Sequence, residues 1–307
     1  MEIIIQILLL ALGFAMLVKG ADWFVDGASG IAERFKIPQL VIGLTIVAMG
    51  TSAPEAAVSI TAAAQGSADI TIGNIVGSNI MNVLVILGLA AAIVPIAVGK
   101  STVRIEIPFL IVITALLALL GLDGVISLVD GIILVIFFLI YMAYLLYRAK
   151  HNPEEPEEGK HLKLLQALLA TVVGLALIVF GSDFAVDAAS EIARILGLSE
   201  RFIGLTIVAL GTSLPELFTS VTAARKGNAD IAIGNIIGSN VFNILFVVGL
   251  SSLIIPVPFA SSFLIDTAIA GTAVVFLLLA CFRKQKLTRW HGIVMLLGYV
   301  AYFLYLL

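Results

Sequence analysis

The chain has 307 residues, of which 61% are hydrophobic and 12% are charged, and its mean hydropathy is +1.17. This composition excludes a water-soluble globular domain and predicts a polytopic membrane protein. The net charge of −3 is uninformative, but the single cysteine, Cys281, excludes an intrachain disulfide framework and a thiolate metal cluster.

Ten apolar segments approach or exceed the roughly 18 to 20 residues that span a bilayer. The first is not expected to be a signal peptide, because Glu2 stands in place of a basic region and no persuasive cleavage site follows. We therefore predict an all-α polytopic membrane protein with ten transmembrane helices. The predicted spans are Ile3–Val18, Leu40–Ala64, Ile70–Val94, Ile105–Leu120, Val125–Tyr147, Leu164–Phe180, Phe202–Ala224, Ile231–Ile255, Phe263–Phe282 and Gly292–Leu306.

The chain repeats itself with a constant offset of 161 residues. VIGLTIVAMGTSAPE at Val41–Glu55 returns as FIGLTIVALGTSLPE at Phe202–Glu216, with twelve of fifteen positions identical. DITIGNIVGSNIMN from Asp69 returns as DIAIGNIIGSNVFN from Asp230, with ten of fourteen identical. An odd number of spans in each half requires opposite orientations, so the sequence predicts two inverted five-helix repeats with a substrate site near mid-membrane.

The predicted units are a first repeat at 1–147, a cytoplasmic linker at 148–163 and a second repeat at 164–307. Counted over alternate loops, fifteen of the seventeen basic residues fall on one side of the membrane. Because basic loops stay in the cytoplasm, this bias predicts that both termini lie outside the cell.

Each Gly-Thr-Ser-x-Pro-Glu motif predicts a broken helix. Pro54 and Pro215 have no backbone N–H, so the carbonyls of Gly50 and Gly211 lose their usual helical donor. Irregular backbone at membrane depth must be buried in protein or face a watery cavity. We therefore expect the carbonyls and hydroxyls around each break to be neutral oxygen ligands, at Ala48, Thr51, Ser52, Ala209, Thr212 and Ser213.

Glu55 and Glu216 follow these breaks inside apolar segments, where an uncompensated carboxylate is costly and marks a functional site. The repeated Gly-Asn-x-x-Gly-Ser-Asn segments predict a second pair of breaks, with Gly77 and Gly238 allowing close backbone approach. Polar residues four apart share a helix face there, namely Ser78 with Asn82 and Ser239 with Asn243.

Oxygen is the only ligand type that these motifs offer, since no histidine or cysteine lies near either one. Hard cations prefer such ligands, and Ca²⁺ takes six to eight oxygens in flexible geometry. Zinc, copper and nickel prefer imidazole or thiolate, so the sequence favours a site for a hard cation.

With these motifs in both halves, the chain resembles the sodium/calcium exchangers of the cation/calcium antiporter superfamily over essentially its whole length. The resemblance implies that Glu55 and Glu216 are central acidic ligands shared by Ca²⁺ and Na⁺. It assigns backbone carbonyls to Thr51 and Thr212, and completion of the polar site to Asn82 and Asn243. It implies sodium sites formed with Ser52, Ser213, Ser78 and Ser239.

The resemblance further implies Na⁺/Ca²⁺ antiport by alternating access, without catalytic residues, a cofactor, a nucleic acid or a protein partner. The expected partners are the two ions and the lipid bilayer, and the short middle loop favours a prokaryotic plasma membrane. Some family members, including potassium-dependent ones, have an aspartate where this chain has Asn82 or Asn243, so the resemblance favours potassium independence.

The two glutamates supply two negative charges, which neutralise one Ca²⁺ or two Na⁺ but leave an empty site charged. This balance favours exchange over uniport. Alternatives remain open at this stage: Ca²⁺/H⁺ antiport, since a desolvated glutamate can carry a proton, a sodium-coupled solute symporter, or a cation channel.

A second set of repeated acids, Asp22 and Asp26 with Asp183 and Asp187, lies near the predicted ends of the first and sixth spans. We expect a solvated or capping role for these residues in preference to ion binding.

Overall fold

The computed structural model describes residues 2–153, 162–197, 207 and 209–306. The predicted linker residues 154–161 and, in the seventh predicted span, residues 202–206 and 208 lie outside these ranges. Within them the protein is helical apart from four two-residue strands, which agrees with the predicted fold class.

The first half contains α1 (Glu2–Phe35), α2 (Gln39–Ile42), the π-helix π1 (Gly43–Val47), α3 (Ala48–Thr51), α4 (Ala53–Ala64), α5 (Asp69–Met81), π2 (Asn82–Leu87), α6 (Gly88–Ile93), β1 (Ile96–Ala97), π3 (Thr102–Glu106), α7 (Ile107–Leu120), a 3₁₀ turn (Gly121–Asp123), β2 (Val125–Ile126) and α8 (Leu128–His151). The second half contains α9 (Leu164–Ile195), α10 (Ala209–Gly211), α11 (Leu214–Arg225), α12 (Ala229–Phe242), π4 (Asn243–Val248), α13 (Gly249–Ile254), β3 (Val257–Pro258), α14 (Ser261–Phe282), β4 (Lys286–Leu287) and α15 (Arg289–Leu306).

The helices α1 and α9 extend well beyond the first and sixth predicted spans. They have 34 and 32 residues, whereas the sequence predicted ends at Val18 and Phe180. At 1.5 Å per residue each is about 50 Å long, which exceeds the roughly 30 Å hydrocarbon core. The hydrophobic pattern identified only the apolar part of each helix. Since no proline interrupts the more polar residues that follow, both helices continue through them.

Glycines allow α1 and α9 to pack with their backbones in contact. A Cβ atom added to Gly20 would lie 2.8 Å from the Gly174 carbonyl oxygen, and one added to Gly13 would lie 2.7 Å from the Ala185 nitrogen. Small residues at such spacings drive helix association in membranes, where apolar burial alone gives no advantage.

The predicted break in the first half is present. Helices α3 and α4 meet at Ser52 with a bend of 51°. In the second half α10 ends at Gly211 and α11 begins at Leu214. The described residues contain seven helices long and apolar enough to cross a membrane, or eight if the bent pair counts as one span. The predicted number of ten stays a prediction.

Two short antiparallel ladders join the halves. Strand β1 pairs with β4, with Ile96 opposite Leu287, and β2 pairs with β3, with Val125 opposite Pro258. The 161-residue offset relates β1 to β3 and β2 to β4, so each ladder links a loop of one half to a loop of the other. The sequence did not predict these strands, because two residues are too few for a periodic pattern.

The centre of the molecule is formed by the helices that carry the Gly-Ser-Asn motifs. Buried residues make up 78% of the most apolar stretch of Ile70–Ile93 and 94% of the most apolar stretch of Ala229–Ile254, compared with 17% of that of α1. The polar residues of these two segments therefore lie inside the protein and away from lipid.

Candidate functional site

The two repeated glutamates lie at the breaks, each in the first turn of the helix that follows. Glu55 begins α4 and Glu216 begins α11, and both residues are fully buried. The N-terminus of a helix favours negative charge, which offsets part of the cost of burying a carboxylate. The sequence prediction of two buried glutamates at matched positions is confirmed.

Hydrogen bonds bring residues of both halves together at the glutamates. Ser52 Oγ, from the first half, donates to Glu216 Oε1 of the second half at 2.8 Å. Ser78 Oγ donates to Glu55 Oε1 at 3.3 Å. The two motifs are 161 residues apart in sequence and adjacent in space.

Four buried oxygens of the predicted ligand residues have no hydrogen-bond donor among the residues that the structure describes. They are Glu55 Oε2, Glu216 Oε2, Asn82 Oδ1 and Asn243 Oδ1. All four residues are fully buried, and the 161-residue offset relates Glu55 to Glu216 and Asn82 to Asn243. Buried acceptors without donors are rare and costly, so such a group suits a bound cation.

Two asparagines support the helices that carry the glutamates. Asn74 Nδ2 donates to Ser59 Oγ at 2.9 Å and to the Glu55 carbonyl at 3.3 Å. Asn235 Nδ2 makes the equivalent bonds, to Ser220 Oγ at 2.9 Å and to the carbonyl of the second glutamate at 3.4 Å. These bonds fix the start of α4 and α11 against α5 and α12.

The contacts of the remaining predicted hydroxyls do not follow the repeat symmetry. Ser239 Oγ donates to the Ala48 carbonyl at 3.4 Å, and Thr51 Oγ1 donates to Asn235 Oδ1 at 3.0 Å. Ser213 Oγ is buried without a partner in the described part of the chain. Thr212 is half-buried. The two halves therefore hold their glutamates through different contacts.

The predicted release of backbone carbonyls is only partly right. The Ala48 carbonyl keeps its helical donor, Ser52 N, at 3.0 Å, because the proline removes a donor only from the next turn. The Gly211 carbonyl accepts a hydrogen bond from Ser182 Oγ at 2.7 Å, so a hydroxyl from α9 replaces the donor that Pro215 lacks. The equivalent of Ala48, Ala209, lies in α10.

The second pair of breaks, predicted in the Gly-Asn-x-x-Gly-Ser-Asn segments, is wrong. Helices α5 and α12 run unbroken through both glycines, and their geometry changes only at Asn82 and Asn243, where π2 and π4 begin. Wider π-helical turns occur frequently at functional sites.

Of Gly77 and Gly238, only Gly238 makes the predicted close backbone contact. A Cβ added to Gly238 would lie 2.7 Å from the Leu44 backbone and from Ala48 Cβ, whereas one added to Gly77 meets nothing within 4 Å.

Two asparagines that sequence reasoning missed contact the predicted ligands Asn82 and Asn243. Asn82 Nδ2 donates to Asn240 Oδ1 at 2.9 Å, and Asn243 Nδ2 donates to Asn79 Oδ1 at 3.1 Å. The signal was available, since both residues belong to the repeated Gly-Ser-Asn motif and lie three positions before the ligand candidates. A four-residue spacing from Asn82 and Asn243 selects Ser78 and Ser239, whereas the two missed asparagines lie at a three-residue spacing.

The acidic residues of α1 and α9 do not join this site in the contacts the structure describes. Asp22 and Asp26 form ion pairs with Lys226 Nζ at 3.0 and 2.7 Å, and they are 41% and 53% exposed. The expected solvated role of these acids stays a prediction, but a capping role is wrong for Asp22 and Asp26, because α1 continues to Phe35.

In the described ranges, no group of three or more histidine, cysteine or acidic side chains is arranged to hold a metal. A cation at the two glutamates would therefore complete its coordination with neutral oxygens, which Ca²⁺ accepts from amides, hydroxyls and carbonyls.

Residues 5–147 and 166–307 match the model of a protein family described as "sodium/calcium exchanger protein". A putative antiporter, CaxA, of Alkalimonas amylolytica is 40% identical over 94% of this chain and 95% of its own length. The sodium/calcium exchanger MaX1 of Methanosarcina acetivorans is 37% identical over 98% of both chains. A structure of the sodium-calcium exchanger NCX_Mj matches with a TM-score of 0.89 and 34% identity, over 99% of this chain and 100% of that one.

Proposed function

The chain belongs to the sodium/calcium exchanger family, and from that premise we propose that it exchanges Na⁺ for Ca²⁺ by alternating access. The proposed ion site is built around Glu55 and Glu216. Its proposed neutral ligands are the side chains of Asn82, Asn243, Ser52, Ser213, Ser78 and Ser239 and the carbonyls of Ala48, Thr51, Ala209 and Thr212.

One observation carries this proposal: the four buried oxygens without donors, two from glutamates and two from asparagines. Two carboxylates and several neutral oxygens match the preferences of Ca²⁺ and Na⁺. The arrangement also gives the site two negative charges, so one Ca²⁺ or two Na⁺ would neutralise it. A neutral loaded site can pass through a low-dielectric intermediate more readily than a charged empty one.

A third Na⁺ would bind to neutral oxygens and leave one excess positive charge during transport. Moving one charge across the full membrane field changes the energy by about 2.3 kcal/mol per 100 mV. The proposed exchange is therefore voltage-sensitive if three Na⁺ are coupled to one Ca²⁺.

We further propose ten spans arranged as two inverted five-helix repeats, 1–147 and 164–307, in a prokaryotic plasma membrane with both termini outside. The ladders support this arrangement. Strands β1 and β4 lie in loops that the basic residues predict to be cytoplasmic. Strand β2 lies at the outer end of the fifth predicted span, and β3 lies in a loop predicted to be outside. The ion pairs of Lys226 with Asp22 and Asp26 likewise join loops of one predicted side.

The proposal is tested with the purified protein reconstituted in sealed liposomes loaded with Na⁺. Uptake of ⁴⁵Ca²⁺ is measured on dilution into Na⁺-free medium, beside equal-Na⁺ liposomes and an imposed pH gradient. We expect Na⁺-driven uptake by the wild type and none above protein-free liposomes for Glu55→Gln or Glu216→Gln, because each removes one of the two charges that the ions neutralise.

The matched control is Glu106→Gln, which neutralises another buried carboxylate that the proposed ligand set does not include. It should keep Na⁺-driven uptake per inserted protein. Uptake driven only by the pH gradient would establish Ca²⁺/H⁺ antiport instead. Normal uptake by correctly inserted Glu55→Gln would remove the glutamates from the mechanism.

A further inference from the structure

The asparagines of the two Gly-Ser-Asn motifs pair with each other across the interface between the halves. Asn240 Nδ2 donates to the Asn79 carbonyl at 3.2 Å, and Asn79 Nδ2 donates to the Asn240 carbonyl at 3.4 Å. Both residues are buried, at 4% and 1% exposure. Their side-chain NH₂ groups are thus occupied by backbone, which leaves each side-chain oxygen as an acceptor.

Those two oxygens receive the NH₂ groups of the candidate ligands. Asn82 Nδ2 donates to Asn240 Oδ1 at 2.9 Å, and Asn243 Nδ2 donates to Asn79 Oδ1 at 3.1 Å. The contacts cross between the halves, so each half holds the ligand of the other.

This arrangement fixes which end of each ligand amide is turned away from its asparagine partner. An amide has an oxygen end and an NH₂ end of nearly the same shape, and only the hydrogen-bond partners decide between them. With the NH₂ groups held, Asn82 Oδ1 and Asn243 Oδ1 are left buried without a donor in the described residues. A flipped amide would present N–H donors in their place, and N–H donors repel a cation.

We propose that Asn79 and Asn240 are positioning residues that orient the Asn243 and Asn82 amides so that both ligand oxygens face the cation. This inference rests on the proposed function, because it takes the four acceptor oxygens as the cation site. It also couples the two ligands, since each is oriented by a residue of the other repeat.

The test is a comparison of Asn79→Leu in two backgrounds, read as the dissociation constant for ⁴⁵Ca²⁺ of purified protein and as KM and kcat of Na⁺-driven uptake. With native Asn243, the variant frees the ligand amide to flip, and we expect Ca²⁺ affinity to fall by roughly tenfold or more. In the Asn243→Asp background both oxygens of the carboxylate at this position are acceptors, so its orientation does not matter to the cation. The same Asn79→Leu variant should then lower Ca²⁺ affinity by about twofold or less.

The repeat supplies an independent copy of the test. Asn240→Leu should weaken Ca²⁺ binding with native Asn82 and have little effect in the Asn82→Asp background. Asn79→Asp keeps an acceptor for Asn243 and, like Asn79→Ala, lacks the donor to the Asn240 carbonyl. It should therefore bind Ca²⁺ roughly fivefold or more tightly than Asn79→Ala, and this pair keeps the test decisive if the leucine variants fold poorly. Thr114→Val, which removes a buried hydroxyl bonded to the Leu110 carbonyl, is the control and should not change affinity.

Equal losses in both backgrounds would overturn the positioning role and leave only a packing role. Asn79→Asp binding Ca²⁺ no more tightly than Asn79→Ala would also overturn it. Ca²⁺ binding by the wild type without Na⁺-driven uptake would overturn the proposed exchange and leave the orientation of the ligands standing. A wild type that binds no Ca²⁺ would overturn both.

Discussion

Glu106 is a buried carboxylate outside the proposed ion site, and it is held by three donors. Arg148 Nη1 lies 2.9 Å from its Oε1, the Tyr144 hydroxyl donates to the same oxygen at 3.0 Å, and the Tyr141 hydroxyl donates to Oε2 at 3.2 Å. The glutamate side chain is fully buried, whereas the arginine is 15% exposed. The cluster attaches π3 to α8 and serves packing, with no unpartnered oxygen to offer a cation.

Removing Arg148 alone should destabilise the protein more than removing the charges of both Arg148 and Glu106. Arg148→Met leaves the buried glutamate with two tyrosine donors only, and breaking a buried pair in this way costs about 3 kcal/mol or more. The double variant with Glu106→Gln should recover part of that loss, because no uncompensated charge remains. Thermal unfolding in detergent measures both variants, and a double variant no more stable than Arg148→Met would contradict this account of the cluster.

At the level of residues, the sequence predicted two buried glutamates at matched positions, which the structure contains, but it missed Asn79 and Asn240. A carboxylate in an apolar segment is conspicuous by its cost, and its repetition strengthens the inference. The orientation of an amide is different, because it depends on an acceptor in the other half of the chain. Spacing within one helix carries no information about such a partner.

Among the helices, α5 and α12 have nearly the same sequence but different neighbours at one equivalent glycine. Gly238 packs directly on the Leu44 backbone, while the same position in α5, Gly77, has open space beside it. Both lie within a helix and precede a serine of the proposed site. The pair therefore separates the effect of close packing from the effect of helix propensity.

We expect opposite outcomes for alanine at these two positions. Gly238→Ala adds a Cβ 2.7 Å from Leu44 atoms, and overpacking of this kind costs about 1–3 kcal/mol. Gly77→Ala meets nothing and should be neutral or stabilising by up to about 1 kcal/mol, because alanine favours helix over glycine. Thermal unfolding and Ca²⁺ uptake are measured for both variants. Equal destabilisation would show that close packing at Gly238 is unimportant.

Helix bounds illustrate what hydrophobic patterns can and cannot predict. The break at Ser52 followed from a proline in an apolar segment, and the bend confirms it. The length of α1 did not follow, because its last turns are polar and extend beyond the apolar stretch. The π-helices at Asn82 and Asn243 also lacked a signal, since one extra residue in a turn hardly alters the periodicity.

For the whole molecule, the repeat offset relates more than the two motifs. It relates the two ladders, the two π-helices that begin at Asn82 and Asn243, and the bonds from Asn74 and Asn235 to the glutamate helices. It fails at some contacts of the proposed site, such as Ser52 with Glu216, whose counterpart Ser213 has no partner in the described chain. A site with unequal halves is what one conformation of an alternating-access carrier would have.

The sequence also predicts which side of the membrane each loop faces, and one pair of positions tests the inverted repeat directly. Ala64 ends α4 and Arg225 ends α11 at equivalent places, and both are exposed. Cys281 is fully buried, so the native chain offers little background to a thiol reagent. In right-side-out vesicles, a membrane-impermeant maleimide should label Ala64→Cys at once, because that loop is predicted to be outside.

Arg225→Cys should be labelled only after detergent opens the vesicles, since inverted repeats place equivalent loops on opposite sides. The wild type, with Cys281 alone, gives the background in both conditions. Labelling of both variants from the same side would contradict the inverted arrangement whichever way the chain is inserted. Labelling of Arg225→Cys alone in intact vesicles would keep the inversion and reverse the predicted orientation, because the two loops would still lie on opposite sides.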